Sequence, residues 1–140
     1  MQRLAAAALI AAVAFAGTAS AGTVNLTLDG VQPRGGRILV TVQSRDQFMK
    51  PAQTSGAVLD GSSSGQLKVA LPNVPAGDYA ISVLHDADQS WGMTMGADGK
   101  PAEGWTMNKA GDLRAKPTFD QVKVSLDGDA SLTQTMMYPK

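Results

Sequence analysis

Apolar residues recur at every second position over much of this chain, which is the period of a strand with one face buried. Val24, Leu26 and Leu28 alternate with Asn25 and Thr27, and Ile38, Val40 and Val42 alternate with Leu39, Thr41 and Gln43. With Asp29-Gly30 and the Gly35-Gly36 turn between them, the two runs are expected to pair as a hairpin. Ser44 to Lys50 reads as a loop or a single helical turn pinned by Phe48, and the Ser-, Gly- and Thr-rich segment Ala52 to Gly65 as a surface connection. Leu67, Val69 and Leu71 make a third strand, broken by Pro72-Asn73-Val74-Pro75. The spacing of Leu71, Pro75, Gly77 and Tyr79 suits a crossing between the sheets of a β-sandwich, with Tyr79 hydrogen-bonding back to the corner backbone.

The longest strand runs from Tyr79 to about His85. Tyr79, Ile81, Val83 and His85 share one face, Ala80, Ser82, Leu84 and Asp86 the other, and since both are mostly apolar the strand is expected to be central. Asp86 to Pro117 shows strand alternation only at Gly104 to Met107. Such a long excursion is a functional or a disordered loop, and Trp91, Met93, Met95, Trp105 and Met107 argue for an ordered one packed across one end of the domain. Phe119, Val122, Val124 and Leu126 predict a further strand, Asp127-Gly128 a hairpin turn, and Leu132, Met136 and Tyr138 the last strand. Short strands punctuated by glycine and proline, with no amphipathic helix, predict an all-β fold: a two-sheet Greek-key β-sandwich with one long ordered excursion.

The N-terminus changes the picture of where this fold resides. Met1-Gln2-Arg3 is a basic start, Leu4 to Phe15 is apolar, and Ala19-Ser20-Ala21 offers the small residues that precede a signal-peptidase cut. Residues 1–21 are therefore read as a signal peptide and 22–140 as a single β-sandwich domain, periplasmic or secreted. The apolar core of that segment is too short to span a bilayer, and no second apolar run follows, so no membrane insertion is expected after cleavage. The chain has no cysteine, hence neither a disulfide nor a lipid-modified cysteine. Its 12 basic residues balance its 12 acidic ones, and the loss of Arg3 leaves the mature domain one charge acidic with no like-charge run. That distribution gives no footprint for nucleic acid.

Several motifs in order resemble a family of exported bacterial proteins known as domain of unknown function 2141. They are the early Gly35-Gly36 turn, the Leu71-Pro72 to Pro75-Ala76-Gly77-Asp78-Tyr79-Ala80 segment, His85-Asp86 opening an Asp-rich loop, Gly104-Trp105-Thr106-Met107-Asn108, and Pro117-Thr118-Phe119 before the final strands. The resemblance implies a transthyretin-like or immunoglobulin-like sandwich and no established activity. It also implies a calcium-loop-like run after His-Asp. Here Asp86, Asp88 and Ser90 hold the alternate positions, but Trp91 stands where a glycine belongs and Thr94 where a closing Asp belongs.

Four chemistries compete for this loop. Calcium takes six to eight oxygens; Asp86, Asp88 and Ser90 could supply three, with Asp98 or Glu103 arriving from the excursion, against the plainer reading of Asp86 and Asp88 as turn-formers. Cu(I) selects thioethers, which makes His85, Met93, Met95 and Met107 a second set with Trp91 nearby, although Met-x-Met equally plugs a gap under a lid. A serine triad of Ser90, His85 and Asp86 or Asp88 lacks the required spacing, and Glu103 is the only glutamate, so the chain is not expected to be an enzyme. Trp91 and Trp105, with Asp and Asn108 nearby, could form platforms for a glycan; the favoured alternative buries one or both as the excursion's own small core. His85 is expected to anchor the excursion, so that His85→Ala would loosen it and spare the strands. These readings converge on a monomeric, non-enzymatic binding or structural module with an unknown protein or glycan partner and no required cofactor. A metal-binding protein is the alternative, calcium before Cu(I).

Overall fold

The computed structural model describes residues 21–140, and the expected signal peptide falls, but for its last residue, outside them. Eight strands form two sheets packed face to face. β1 (Gly22–Val31) lies between β4 (Gly65–Val74) and β8 (Ala130–Thr135), antiparallel to the first and parallel to the second. The second sheet runs β3 (Ser55–Asp60), β2 (Arg37–Gln43), β5 (Gly77–Asp86), β6 (Gly104–Met107), and β7 (Val124–Leu126) pairs with the start of β5. The expected sandwich is the fold, and β5 is central, with β2 on one side and β6 and β7 on the other.

Alternation foretold the inward faces of β1, β2, β4 and β5. Val24, Leu26 and Leu28 from β1 meet Ile38, Val40 and Val42 from β2, Leu71 and Val74 from β4, and Tyr79, Ile81 and Val83 from β5 in one core. Fully burying each such aliphatic side chain contributes about 1.5–3 kcal/mol. A smaller cluster of Ala80, Phe119 and Val122, with Phe48 packed against it, sits on the other face of β5. Phe48 indeed pins its turn, edge-on to Phe119 at 5.7 Å.

Partnership is where the pattern misleads. β1 and β2 are not a hairpin: they lie in different sheets, and the Gly35-Gly36 turn, with φ of 76° and 63°, carries the chain across. Likewise Asp127-Gly128 leads from β7, on β5, to β8, on β1, rather than closing a hairpin. A two-residue turn signal fixes a reversal of the chain, not the sheet that receives it. Within the expected surface connection, Ser55–Asp60 is an edge strand, because Gly56 permits a close approach to the Val40 carbonyl and the outward residues tolerate water. Pro72 does not break β4, which occupies a sheet edge where a missing N–H costs nothing. Phe119–Val122 is a helical turn rather than strand: the two buried residues are three apart, and Gln121 Oε1 accepts from the Thr118 N–H at 3.0 Å. The Tyr79 hydroxyl makes no corner hydrogen bond among the described residues; its ring packs over Gly77.

Candidate functional site

Strand alternation sends His85 and Leu84 to opposite faces of β5, and this divides the expected site in two. His85 is buried on the core side. Its Nε2 lies 2.9 Å from the Gly35 carbonyl oxygen, which only accepts, so Nε2 carries the proton. Nδ1 therefore accepts from the Tyr138 hydroxyl at 2.8 Å, and that hydroxyl accepts in turn from the Gln32 N–H at 3.0 Å. Burial raises the Tyr138 phenol above its usual range, which keeps it a donor. His85 thus ties the β1–β2 turn to the C-terminal segment, and it does not anchor the excursion. Both its nitrogens are engaged away from Met93, Met95 and Met107, so the structure does not assemble that His–Met set.

Three carboxylates anchor the excursion instead. Asp86, fully buried, accepts from the Ser90 N–H at 2.9 Å through Oδ1 and from the Trp91 N–H at 2.9 Å through Oδ2. Asp88 accepts from the Ser90 N–H at 3.1 Å and the Thr94 hydroxyl at 2.7 Å. Glu103 accepts from the Ala87 N–H at 2.8 Å through one oxygen and the Thr94 N–H at 3.0 Å through the other. The clamp roots a small hairpin closed by the Ala102 N–H to Thr94 carbonyl bond at 2.8 Å and the Gly96 N–H to Lys100 carbonyl bond at 2.7 Å. Ligand atoms of Asp86, Asp88 and Glu103 converge within 4.8 Å of one another. Asp98 stays outside that group, accepting from the Lys100 N–H at the hairpin tip, and Ser90 serves the loop as a donor.

Like charges this close repel, and two features offset the repulsion. Hydrogen bonds to the charged form, first from the Thr94 hydroxyl and then from Ser90, hold Asp88 down at about 2. Beside Asp86, Arg37 Nε stands 3.3 Å from Oδ2 but off the N–H direction, so the contact is an ion pair while that N–H itself lacks an acceptor. The Arg37 guanidinium lies 3.5 Å from the Trp91 ring centroid and donates to the Gln89 carbonyl at 3.3 Å. Trp91 adopts φ 66°, the left-handed conformation that glycine takes most readily. The loop therefore keeps the turn its resemblance implied, with a tryptophan strapped to Arg37 in the glycine's place. As a set of oxygens, the three carboxylates fit a hard cation only in part, since each oxygen pair already accepts loop donors and a cation already stands beside Asp86.

The opposite face of the same sheet carries a different site. Leu39 of β2, Leu84 of β5 and Trp105 of β6 are direct cross-strand partners, and Trp105 pairs with Met137 beyond the edge. Val58 of β3 continues the row on the other side of Leu39. This apolar ladder faces away from the core and floors a trough of about 1170 Å³. Walls come from the hairpin, bearing Met93 and Met95, from Met49, and from Leu113. Among the described residues the exposed large hydrophobics are Met49, Val58, Trp91, Met93, Met95 and Met137, and all but Val58 line this one trough. Trp91 is 63% exposed and Trp105 is half-buried in the trough floor, so the expected burial of one or both tryptophans as the excursion's own core is corrected. Asn108 lies elsewhere, its amide reaching the Lys123 carbonyl at 3.4 Å.

Sequence reasoning gathered Asp86, Asp88, Ser90 and Trp91 into one loop and offered Asp98 or Glu103 beside them, of which the structure brings in Glu103; it missed Arg37, Leu39, Leu84, Met49 and Met137. Leu39 and Leu84 had a signal: both are apolar on the outward phase of strands whose inward phase is also apolar. Neither a curated protein nor a solved structure matches this chain. The model of a family described as uncharacterized protein conserved in bacteria, DUF2141, matches residues 26–134, and the chain belongs to that family.

Proposed function

We propose that this protein is an exported, non-enzymatic binding module whose ligand lies in the trough on the outer face of the five-stranded sheet. One observation carries the reading: an outward apolar ladder, Leu39–Leu84–Trp105, lies beneath a rim of exposed methionines and Trp91. Solvent-facing positions of a sandwich strand are ordinarily polar, and apolar side chains left uncovered in one concave place mark a binding surface. Methionine suits the role because its flexible, polarizable thioether repacks against different apolar shapes. In this reading the carboxylate clamp is the support that fixes the wall, and the tryptophans act as apolar floor and rim rather than as glycan platforms. The test is titration of the mature protein with Nile red, a neutral apolar dye. Saturable binding that Leu84→Ser and Met95→Glu each abolish, with unfolding temperatures unchanged for Met95→Glu, is the expected result. Binding insensitive to both substitutions would refute the reading.

Calcium at Asp86, Asp88 and Glu103 is the second reading, supported by the convergence of their oxygens within 4.8 Å. It ranks below the first because Arg37 already pairs with Asp86. Thermal unfolding in EDTA and then in excess calcium decides it: a ligand at a hundred times its dissociation constant adds about 2.7 kcal/mol, several degrees for a domain this size.

A further inference from the structure

The charges around the trough are lopsided in a chain whose charges balance overall. Lys50, Lys100, Arg114, Lys116 and Lys140 line it, against a single acid, Asp98, whereas the whole chain carries 12 basic and 12 acidic residues. Among the described residues none of these five cations forms an ion pair; the ion pairs belong to Arg37, Arg45 and Lys123. Asp98 turns back to accept from the Lys100 N–H. An exposed cation without a counter-ion keeps its full attraction for an incoming anion, and a low-dielectric apolar floor nearby strengthens that attraction.

The floor has a length as well as a polarity. From Leu39 through Leu84 and Trp105 to Met137 the ladder crosses three inter-strand intervals. At about 4.8 Å each these span roughly 14 Å, close to an extended alkyl chain of about twelve carbons. The row takes one residue from each of three neighbouring strands and then the bridged Met137, so it offers a narrow apolar line across the strands that suits an unbranched chain better than a compact ring system.

We infer that the trough takes a single-chain anionic amphiphile, such as a medium- or long-chain carboxylate, with its alkyl body on the Leu39–Leu84–Trp105 ladder and its head among the rim cations. The inference rests on the trough being the binding site and adds the class of ligand. Head and body are read by separate residues, so the two can be tested apart. The head needs only charge, which the lysines supply without fixed geometry; the body needs the ladder and the adaptable methionine walls.

The test is isothermal titration of the mature protein with three twelve-carbon amphiphiles below their micelle concentrations: dodecanoate, dodecyl maltoside and dodecyltrimethylammonium. Dodecanoate is expected to bind with one-to-one stoichiometry, at least about tenfold tighter than the neutral and cationic chains, and to weaken as salt rises. The double variant Lys100→Glu/Lys116→Glu, confined to exposed rim side chains, should remove that preference and leave the neutral amphiphile's affinity unchanged. Equal affinity for all three would overturn the anionic head while sustaining the trough as a binding site. Failure of all three, with Nile red also unbound, would overturn both. Binding to phosphatidylglycerol vesicles without any binding of monomeric dodecanoate would overturn the inference in favour of a membrane surface.

Discussion

The two outer faces of this sandwich are built from strands of the same alternating type and end up opposite in character. On the three-stranded sheet the outward rows are Ala70–Asn25–Ser131 and Lys68–Thr27–Thr133, small or polar throughout. On the five-stranded sheet the corresponding rows are Val58–Leu39–Leu84–Trp105 and, beside it, Thr41–Ser82–Met107. Both sheets bury their inner faces in the same core, and Ala80, Phe119 and Val122 bury one patch of the five-stranded sheet's outer face, yet the row through Leu84 is left lining an open trough. The excess lies on one sheet, in one row, under the one long excursion. Position therefore distinguishes it from the scattered surface hydrophobics any protein carries. The excursion in turn is held by carboxylates whose hydrogen-bonding capacity is spent on their own loop, which makes that cluster a support and the trough beside it the open surface.

Substitutions can break this contrast, and the largest effect belongs to the support. Asp86→Ala strips the Trp91 amide of its acceptor, leaves the Ser90 amide with Asp88 alone, and leaves Arg37 without its counter-ion, at a cost of about 3–5 kcal/mol. Thermal unfolding should show the loss, and hydrogen exchange of the Trp91 amide should become that of open loop. Next comes Tyr138→Phe, which leaves His85 Nδ1 and the Gln32 N–H unpartnered and should cost about 1–3 kcal/mol. Chemical denaturation gives the magnitude, and loosening should appear around Gly35 and Met137 while the hairpin keeps its protection; a freed hairpin would show that His85 anchors the excursion after all.

Smaller effects sharpen the contrast between faces. Leu84→Ser, on the apolar row, should cost about 1–2 kcal/mol and remove Nile red binding, whereas Thr27→Ser on the polar face should stay within about 0.5 kcal/mol and leave binding intact. Least of all is the acid response of the clamp. Asp88 has a folded pKa of about 2, below its ordinary carboxylate value, so its contribution is complete above about pH 4 and disappears as pH falls through about 2. Asp88→Asn should flatten that part of the stability profile against pH relative to the unmodified chain, measured by denaturation at each pH; identical profiles would remove Asp88 from the clamp.

Much of the fold was legible in the sequence because side-chain period reports burial directly. Val24, Ile38, Leu71 and Ile81 were placed inward by alternation alone, and β5 was identified as central. Pairing was not legible, since Gly35-Gly36 and Asp127-Gly128 announce a turn without naming the receiving strand, and both turns cross between sheets. The site was half legible. Asp86 and Asp88 advertised their loop by spacing, while Glu103 joined them through a strand pairing that no local pattern encodes. Leu84 was visible as an apolar residue on the second face of β5, but a strand with two apolar faces reads the same whether the second is buried or forms the floor of a trough.

Solution NMR of the methionine ε-methyl groups during titration with dodecanoate tests the central claim most directly. Met49, Met93, Met95, Met107 and Met137 line the trough, while Met136 lies in the core at 6% exposure. Saturable shifts of the five trough methyls, with Met136 unmoved, are the predicted result. No shifts at all, or shifts in Met136 equal to the rest, would contradict it.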